Sequence, residues 1–354
     1  MTRYVLKRLG LSVVVLAGLV VLAFVMVQIL PGDPARAAAG RTATAAQVAQ
    51  ARTALGLDEP LPVQFVRFIG RLLQGDLGTS VVTHRAVLGD ITTVLPSSLE
   101  LVVAAMLLNV LIGVPLGVLA AYRRGKAADA ASRIVALLGA ALPVFWLGLL
   151  LQLLFAAKLG WLPLYGQLGF GIEVPTVTGA TTIDALLAGD WSAFGSAIVH
   201  LLLPAITLAA AFIAVVARTV RSSMITTLDA DYVTLARATG ASELRVVVRH
   251  GLRNALLPVS TILGMQLGWM LGSTVLVEST FNRTGIGAYM VTAVLQNDLY
   301  AVIGSILVVG VVFIIANLVV DLVQLWINPR LRSGMGTPRA RRRPSALVST
   351  EVAS

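Results

Sequence analysis

Leu9–Leu30 reads LGLSVVVLAGLVVLAFVMVQIL, 22 residues without a charge, and it follows directly on Arg3, Lys7 and Arg8. A helix needs about 20 mostly apolar residues to cross the hydrocarbon of a bilayer, so this run is long enough to span one. A secretory signal carries a shorter apolar core of about 7–15 residues, and further apolar runs follow, so this helix is expected to be retained. Five more segments have the same character: Pro96–Ala121, Ile134–Ala157, Ala197–Ala217, Ala255–Val277 and Ala301–Trp326. The expected fold is an all-α integral membrane protein with six transmembrane helices.

Composition agrees. Of 354 residues 57% are hydrophobic and 12% charged, against about 25% charged in ordinary soluble domains. A water-soluble chain could not cover that much apolar surface. The net charge of +10 sits in flanks of apolar runs rather than in an aromatic-rich basic domain, which argues against nucleic acid as a partner and for membrane lipids. There is no cysteine, so disulfides, thiolate metal sites and thiol nucleophiles are excluded. His84, His200 and His250 are far apart in sequence, a poor start for a histidine metal site.

Orientation follows from Lys and Arg. Segments 1–8, 122–133, 218–254 and 327–354 hold 3, 4, 6 and 6 of them, whereas 158–196 and 278–300 hold one each. The 65-residue segment 31–95 holds six Arg against five acids, but long loops obey the rule weakly. Both termini are therefore expected in the cytoplasm. The organisation reads as a cytoplasmic N-terminus (1–8), a six-helix transmembrane body (9–332) and a basic tail (333–354) expected to be disordered.

The loops carry local signals. Thr44 and Gln47 form a capping box for a short helix that Gly56 stops. Val63–Gln74 alternates Phe65, Ile69, Leu72 and Leu73 with Gln64, Arg67, Arg71 and Gln74, the pattern of a helix in the interface plane or packed on a span. In 218–254, Asp229 or Asp231 can cap a helix ended by Gly240, and Ser242 can cap a second. There Leu244, Val247, Val248 and Gly251 share a face, and Arg245, Arg249 and Arg253 make a basic stripe. That stripe suits either a docking element or headgroup contact.

Catalytic motifs are absent. No G-x-x-x-x-G-K-S/T, H-E-x-x-H or G-x-S-x-G occurs, so no cofactor is expected on this chain. Glu100 and Glu278 stand near helix ends, and Asp321 lies about 7.5 Å of helix rise from the inner end of its span. A charge at mid-bilayer costs at least ~2.5–3.5 kcal/mol, and none is placed there. Asn109, Gln152, Gln266, Ser273 and Thr274 could line a solute path, or could join helices by hydrogen bonds. Prolines 115, 143, 204 and 258 read as packing kinks.

A set of motifs carries a resemblance. They are Leu30-Pro31-Gly32-Asp33-Pro34, Leu55-Gly56-Leu57-Asp58-Glu59-Pro60-Leu61 and Gly75-Asp76-Leu77-Gly78-Thr79-Ser80. Then come Asp231-Tyr232-Val233 leading to Ala236-Arg237-Ala238-Thr239-Gly240, and Arg249-His250-Gly251-Leu252-Arg253-Asn254-Ala255-Leu256-Leu257-Pro258. Glu278-Ser279-Thr280-Phe281 with Gly285-Ile286-Gly287, and Asn328-Pro329-Arg330-Leu331-Arg332, complete the series. In this order and spacing the chain resembles permease subunits of dipeptide/oligopeptide/nickel-type ABC importers over residues 1 to about 332. Departures are Thr284 where many relatives have proline, Asn328 where aspartate is common, and Pro258 placed 18 residues after Gly240, the longer form usual in the peptide-type branch.

The resemblance implies a type I importer permease fold, a second homologous permease, two ATPase subunits that carry ATP and Mg, and an extracellular solute-binding protein. It also implies an ATPase-coupling role for Asp231, Tyr232, Ala236, Arg237, Gly240, Ala241, Glu243, Arg245 and Arg249. The expected function is uptake of peptides or similar small solutes across the plasma membrane. A secondary transporter or channel is the alternative, and it would need a buried coupling charge or selectivity element.

Overall fold

The computed structural model describes residues 2–29, 34–40, 42–127, 129, 130, 132, 134, 139 and 141–327. The first span is α1 (Thr2–Ile29), followed by α2 (Pro34–Ala39), α3 (Ala45–Leu55) and α4 (Leu61–Leu73). The second span is α5 (Val87–Tyr122), with α6 (Val144–Leu151) running on into a π-helical stretch, Gln152–Lys158. Next are α7 (Thr181–Leu187), the long α8 (Trp191–Leu228) and α9 (Asp231–Ala238). The short α10 (Glu243–Arg245) passes through a π-helical Val246–Leu252 into α11 (Arg253–Thr280), then α12 (Ile286–Leu295) and α13 (Leu299–Ile327).

Five described helices, α1, α5, α8, α11 and α13, are long and apolar enough to cross a membrane. The expected third span, Ile134–Ala157, differs from a single rod. Pro143 caps α6 with extended backbone (φ −58, ψ 134), so the helix breaks there, because proline at that position disfavours helical geometry in the residue before it. Its described apolar helix is Val144–Lys158, and residues 135–138 lie outside the described residues.

The core forms where α5 lies along α8. Gly113 and Gly117, one turn apart, let the backbones approach: a Cβ on Gly117 would stand 2.6 Å from the Ala217 carbonyl oxygen. Small residues at this spacing are the usual device for close helix contact in lipid, where helices gain little from hydrophobic expulsion. Leu101, Val102 and Ala105 of α5, Leu203 and Leu208 of α8, and Met270 and Leu271 of α11 then fill one cluster. α1 lies at the edge of the bundle against α13. Arg8 pairs with Asp321 at 2.8 Å, and Asn317 bonds its own helix at the Phe313 carbonyl, 2.9 Å.

The capping box forms as expected. The Thr44 amide donates to Gln47 Oε1 at 2.8 Å, the Gln47 amide donates to Thr44 Oγ1 at 3.3 Å, and Gly56 closes α3 at φ +67. The expectation that α4 packs on a span holds, but the sides assigned to Leu73 and Gln64 are reversed. It packs on α1 through Phe65 and Phe68, whose rings lie 5.2 and 5.7 Å from that of Phe24, whereas Leu73 is 83% exposed. Gln64, expected on the wet side, is buried and donates to the carbonyls of Leu57 (3.0 Å) and Glu59 (2.7 Å). Those loop carbonyls would otherwise be orphaned, so a polar side chain belongs inside. The motifs at 30–33 and 328–332 and the tail 333–354 lie outside the described residues.

Candidate functional site

The loop between α8 and α11 is a helical finger. α9 begins after Ala230, not at an Asp cap: its N-cap makes no side-chain hydrogen bond, and neither does Ser242 before α10. Its end is as expected. Gly240 takes φ +85, its amide donates to the Arg237 carbonyl at 3.0 Å, and the Ala241 amide donates to that of Ala236 at 3.0 Å. This left-handed turn reverses the chain so that α9 lies against the π-helical Val246–Leu252, with Arg237 Nε on Glu243 Oε1 at 3.0 Å.

All nine loop residues singled out from the sequence fall on this finger. Asp231, Arg237, Gly240, Glu243, Arg245 and Arg249 are exposed, and Ala236 and Ala241 are half-buried. The Tyr232 hydroxyl accepts from Asn254 Nδ2 at 3.0 Å, which ties α9 to the start of α11. Arg245 and Arg249 make no side-chain ion pair or hydrogen bond among the described residues.

The buried face after Gly240 differs from the one expected. Leu244 and Val248 are 75% and 50% exposed, whereas Val246, Val247 and Gly251 are buried. The cause is the π-helical stretch, whose wider turn moves the face away from 3.6-residue spacing. Gly251 meets Met224 of α8 so closely that a Cβ would stand 2.9 Å from its Cε. With Val233 fully buried, these contacts seat the finger on the bundle, and Leu235, Leu244 and Val248 are left as an apolar tip.

Two ion pairs brace the same end. Arg221 of α8 grips buried Asp129 with both arms, Nε to Oδ1 at 2.7 Å and Nη2 to Oδ2 at 2.9 Å. Arg124 reaches Asp229 at 3.3 Å.

The polar residues proposed for a path divide. Asn109 Nδ2 donates to Gln266 Oε1 at 2.7 Å, joining α5 to α11, and Gln266 donates onward to the Phe212 carbonyl at 3.2 Å. Gln152 donates to the carbonyls of Leu164 (2.8 Å) and Thr280 (3.2 Å). Thr274 and Ser273 bond their own helix, at Leu271 (2.8 Å) and Trp269 (2.9 Å). Asn109, Gln152, Gln266 and Thr274 are buried in the single chain, and only Ser273 is partly open. Asn109, Gln152 and Gln266 join separate segments, whereas Ser273 and Thr274 bond only within α11.

A second polar cluster was not predicted. Glu278 is fully buried, and its carboxylate receives the amides of Gly287 (2.8 Å) and Ala288 (3.1 Å) at the start of α12, plus the Ser98 hydroxyl of α5. The Ile286 amide donates to Ser98 Oγ at 2.8 Å. A carboxylate at a helix N-terminus is favoured by both the dipole and the unpaired amides. Arg283, 2% exposed, pairs with Glu100, which also accepts from the Thr182 amide at 2.7 Å. Burial pushes the Arg283 guanidinium below its ordinary range, opposed by the charges of Glu100 and Glu278. The available signal was Arg283 as the lone basic residue of 278–300, flanked by the quoted Glu278 and Gly285-Ile286-Gly287 motifs.

No group of three or more metal-ligating side chains occurs among the described residues.

Comparisons with known proteins agree across the chain. The family described as "Binding-protein-dependent transport system inner membrane component" matches residues 113–333, and the N-terminal part of such a membrane component matches residues 1–102. A probable D,D-dipeptide transport system permease protein of Escherichia coli is 45% identical over 325 residues, 92% of this chain and 96% of that one. A di/tripeptide transport system permease of Pseudomonas aeruginosa is 40% identical over 94% of this chain and 99% of its own length. A glutathione transport system permease of Salmonella paratyphi A is 40% identical with the same coverage. Among solved structures, the MetNI methionine ABC transporter in an inward-facing form matches with a TM-score of 0.50 at 13% identity, over 66% of this chain and 93% of that one. That likeness speaks for the fold alone.

Proposed function

The chain belongs to the family of binding-protein-dependent transport system inner membrane components, and from that membership we propose that it forms half of the translocation path of an ATP-driven importer of short peptides. It is a multi-pass membrane permease subunit. The relatives' names include D,D-dipeptides, di- and tripeptides and glutathione, and their shared chemistry is a short peptide. That supports the same substrate class here.

On this reading a second homologous permease supplies the other half of the path, two ATPase subunits bind ATP and Mg, and an extracellular binding protein delivers solute. The chain itself hydrolyses nothing. The Asp231–Arg253 finger is the part that takes up ATPase motion, with Asp231, Tyr232, Ala236, Arg237, Gly240, Ala241, Glu243, Arg245 and Arg249 at the contact. The observation that carries this is an exposed apolar tip on a finger that is itself anchored to α8 and α11 by Val233, Val246, Val247 and Gly251. A surface of that kind fits a groove on a partner, and a rigid anchor can pass its displacement to the spans. Both termini face the cytoplasm in this arrangement, and the chain crosses the membrane six times.

The test is uptake of a labelled dipeptide by cells lacking the chain and complemented with it. Uptake should need the chain, its ATPases and the binding protein together. Uptake by the isolated chain in vesicles without ATP would overturn the reading in favour of a secondary transporter.

A further inference from the structure

α11 packs against α5, α6, α8, α12 and α13, yet one strip of it stays uncovered. Thr261, Met265, Trp269, Gly272, Leu276 and Ser279 are all exposed, and at about 100° per residue they fall within roughly 80° of the helix circumference. The strip differs from a lipid-facing surface. On α1 the exposed side chains include Val13, Val14, Val21, Leu22 and Val25, all hydrocarbon, which is what lipid tails match. α11 is the least apolar of the five long helices, and its strip mixes hydroxyls, a glycine and an indole.

Trp269 carries the argument. It is 73% exposed and stands 11 residues from either end of the apolar stretch Pro258–Thr280, about 16 Å of helix rise from each. Tryptophan in membrane proteins gathers at the two interfaces, where the ring is covered and the N–H is wet. Trp161, just past the apolar helix Val144–Lys158, and Trp191, the first residue of α8, sit at helix ends in that way. The Trp269 indole lies at the opposite depth, and its N–H finds no acceptor among the described residues. An unpaired N–H in hydrocarbon is unfavourable, so this face is not turned to lipid tails. A second helix seated on it would bring a backbone already bonded to itself. Water or a polar solute satisfies the indole, and there is room for one: a Cβ on Gly272 would meet nothing within 4 Å, and Ser273 at the edge of the strip is partly open. We propose that this strip of α11 is the chain's wall of the solute path, and that Trp269 is the surface on which an apolar or aromatic side chain of a peptide packs in transit. The ring offers stacking area with a donor at its edge, which suits a short peptide: side chain on the ring, carbonyl on the N–H. This assignment rests on the reading of the chain as half of a peptide path.

The test uses the complete transporter in cells, with single cysteines placed in this otherwise cysteine-free chain. Trp269→Cys and Gly272→Cys should be modified by a small charged methanethiosulfonate reagent in at least one nucleotide state, read on this chain after purification. An excess of transported dipeptide should slow the reaction. Val21→Cys, exposed on α1, should stay unmodified. In uptake, Trp269→Ala should lower the maximal rate for diphenylalanine relative to dialanine roughly two- to tenfold, the worth of one aromatic pair. Half-saturating concentrations, which on the proposed reading the binding protein sets, should not change, and Trp269→Phe should keep most of the parent ratio. Lack of modification at both positions in every nucleotide state, as lipid or a seated subunit helix would give, overturns the proposal. So does a diphenylalanine-to-dialanine ratio that does not fall in Trp269→Ala. Absence of dipeptide uptake in the parent transporter would refute the peptide reading together with this use of it, and measuring the parent first keeps the two failures apart.

Discussion

The Glu278 carboxylate accepts the Gly287 amide at 2.8 Å, so the end of α11 caps the start of α12. Space there is tight. A Cβ on Gly285 would collide with the Glu278 carboxylate, and one on Gly287 would stand 2.5 Å from the Val275 Cα. Gly287→Val should therefore lower the thermal stability of the purified protein more than Glu278→Gln, which keeps the shape and loses the charge. Losing a buried charged acceptor costs about 1–3 kcal/mol. A Gly287→Val protein as stable as the parent would remove the cap from the account.

Gly240 distinguishes backbone from bulk. Its φ is +85, and a Cβ there would meet nothing within 4 Å, so a substitution suffers from conformation and not from crowding inside the chain. A non-glycine residue in this region costs about 1–2 kcal/mol, with Asn the best tolerated. Gly240→Val should reduce dipeptide uptake and ATPase co-purification sharply, and Gly240→Asn should keep most of both. Equal loss in the two would mean that bulk at the partner surface, rather than the turn, is what matters.

Arg221 and Asp129 form a two-armed pair in which Asp129 is nearly inaccessible. Removing Arg221 takes a two-armed partner from a buried carboxylate that still accepts from the Gly125 amide at 3.1 Å, and breaking a buried pair costs up to about 3–5 kcal/mol. Arg221→Ala should destabilise the purified protein markedly, and Asp129→Asn with Arg221→Gln should restore part of the loss. A thermal scan of the three proteins checks this; equal stability of single and double variants would show that the charge itself is not the problem.

Asp184 gives the segment before α8 a pH dependence. Burial works to raise its pKa, but the Thr178 hydroxyl (2.7 Å), the Thr178 amide (2.6 Å) and the Gly179 amide (3.0 Å) together hold it below the ordinary value. A lowered folded pKa means that the stabilisation is complete above the unfolded pKa and is lost as pH falls through the folded one. Protease resistance of the 158–196 loop should accordingly drop on acidification, and Asp184→Asn should flatten that dependence. An unchanged acid profile in Asp184→Asn would assign the effect elsewhere.

The topology is open to labelling, since the chain has no cysteine. Single cysteines at Ala43 and Ser242 should react with an impermeant reagent from opposite sides of the membrane. Reaction from the same side would refute the six-span orientation.

Local features were legible in the sequence. Apolar runs marked the five long helices, the Thr44–Gln47 box and Gly56 set the limits of α3, and Gly240 marked the turn of the finger. Each depends on neighbours within a turn or two, whose spacing the chain itself fixes. The π-helical stretch at Val246–Leu252 already escaped this reading, because apolar spacing presumes a 3.6-residue turn.

The partners of buried polar groups came only from the tertiary structure. Asn109 and Gln266 were read as path or helix-joining residues, and only packing brought their side chains to 2.7 Å across 157 positions. Glu100 and Arg283 meet across 183 positions, with nothing local in either to name the other. In lipid a polar group must find its partner within the protein, and which partner it finds depends on how the helices cross. The five long spans were therefore determined by the sequence read alone, while the contacts that bind them were decided by the close approach of α5, α8 and α11.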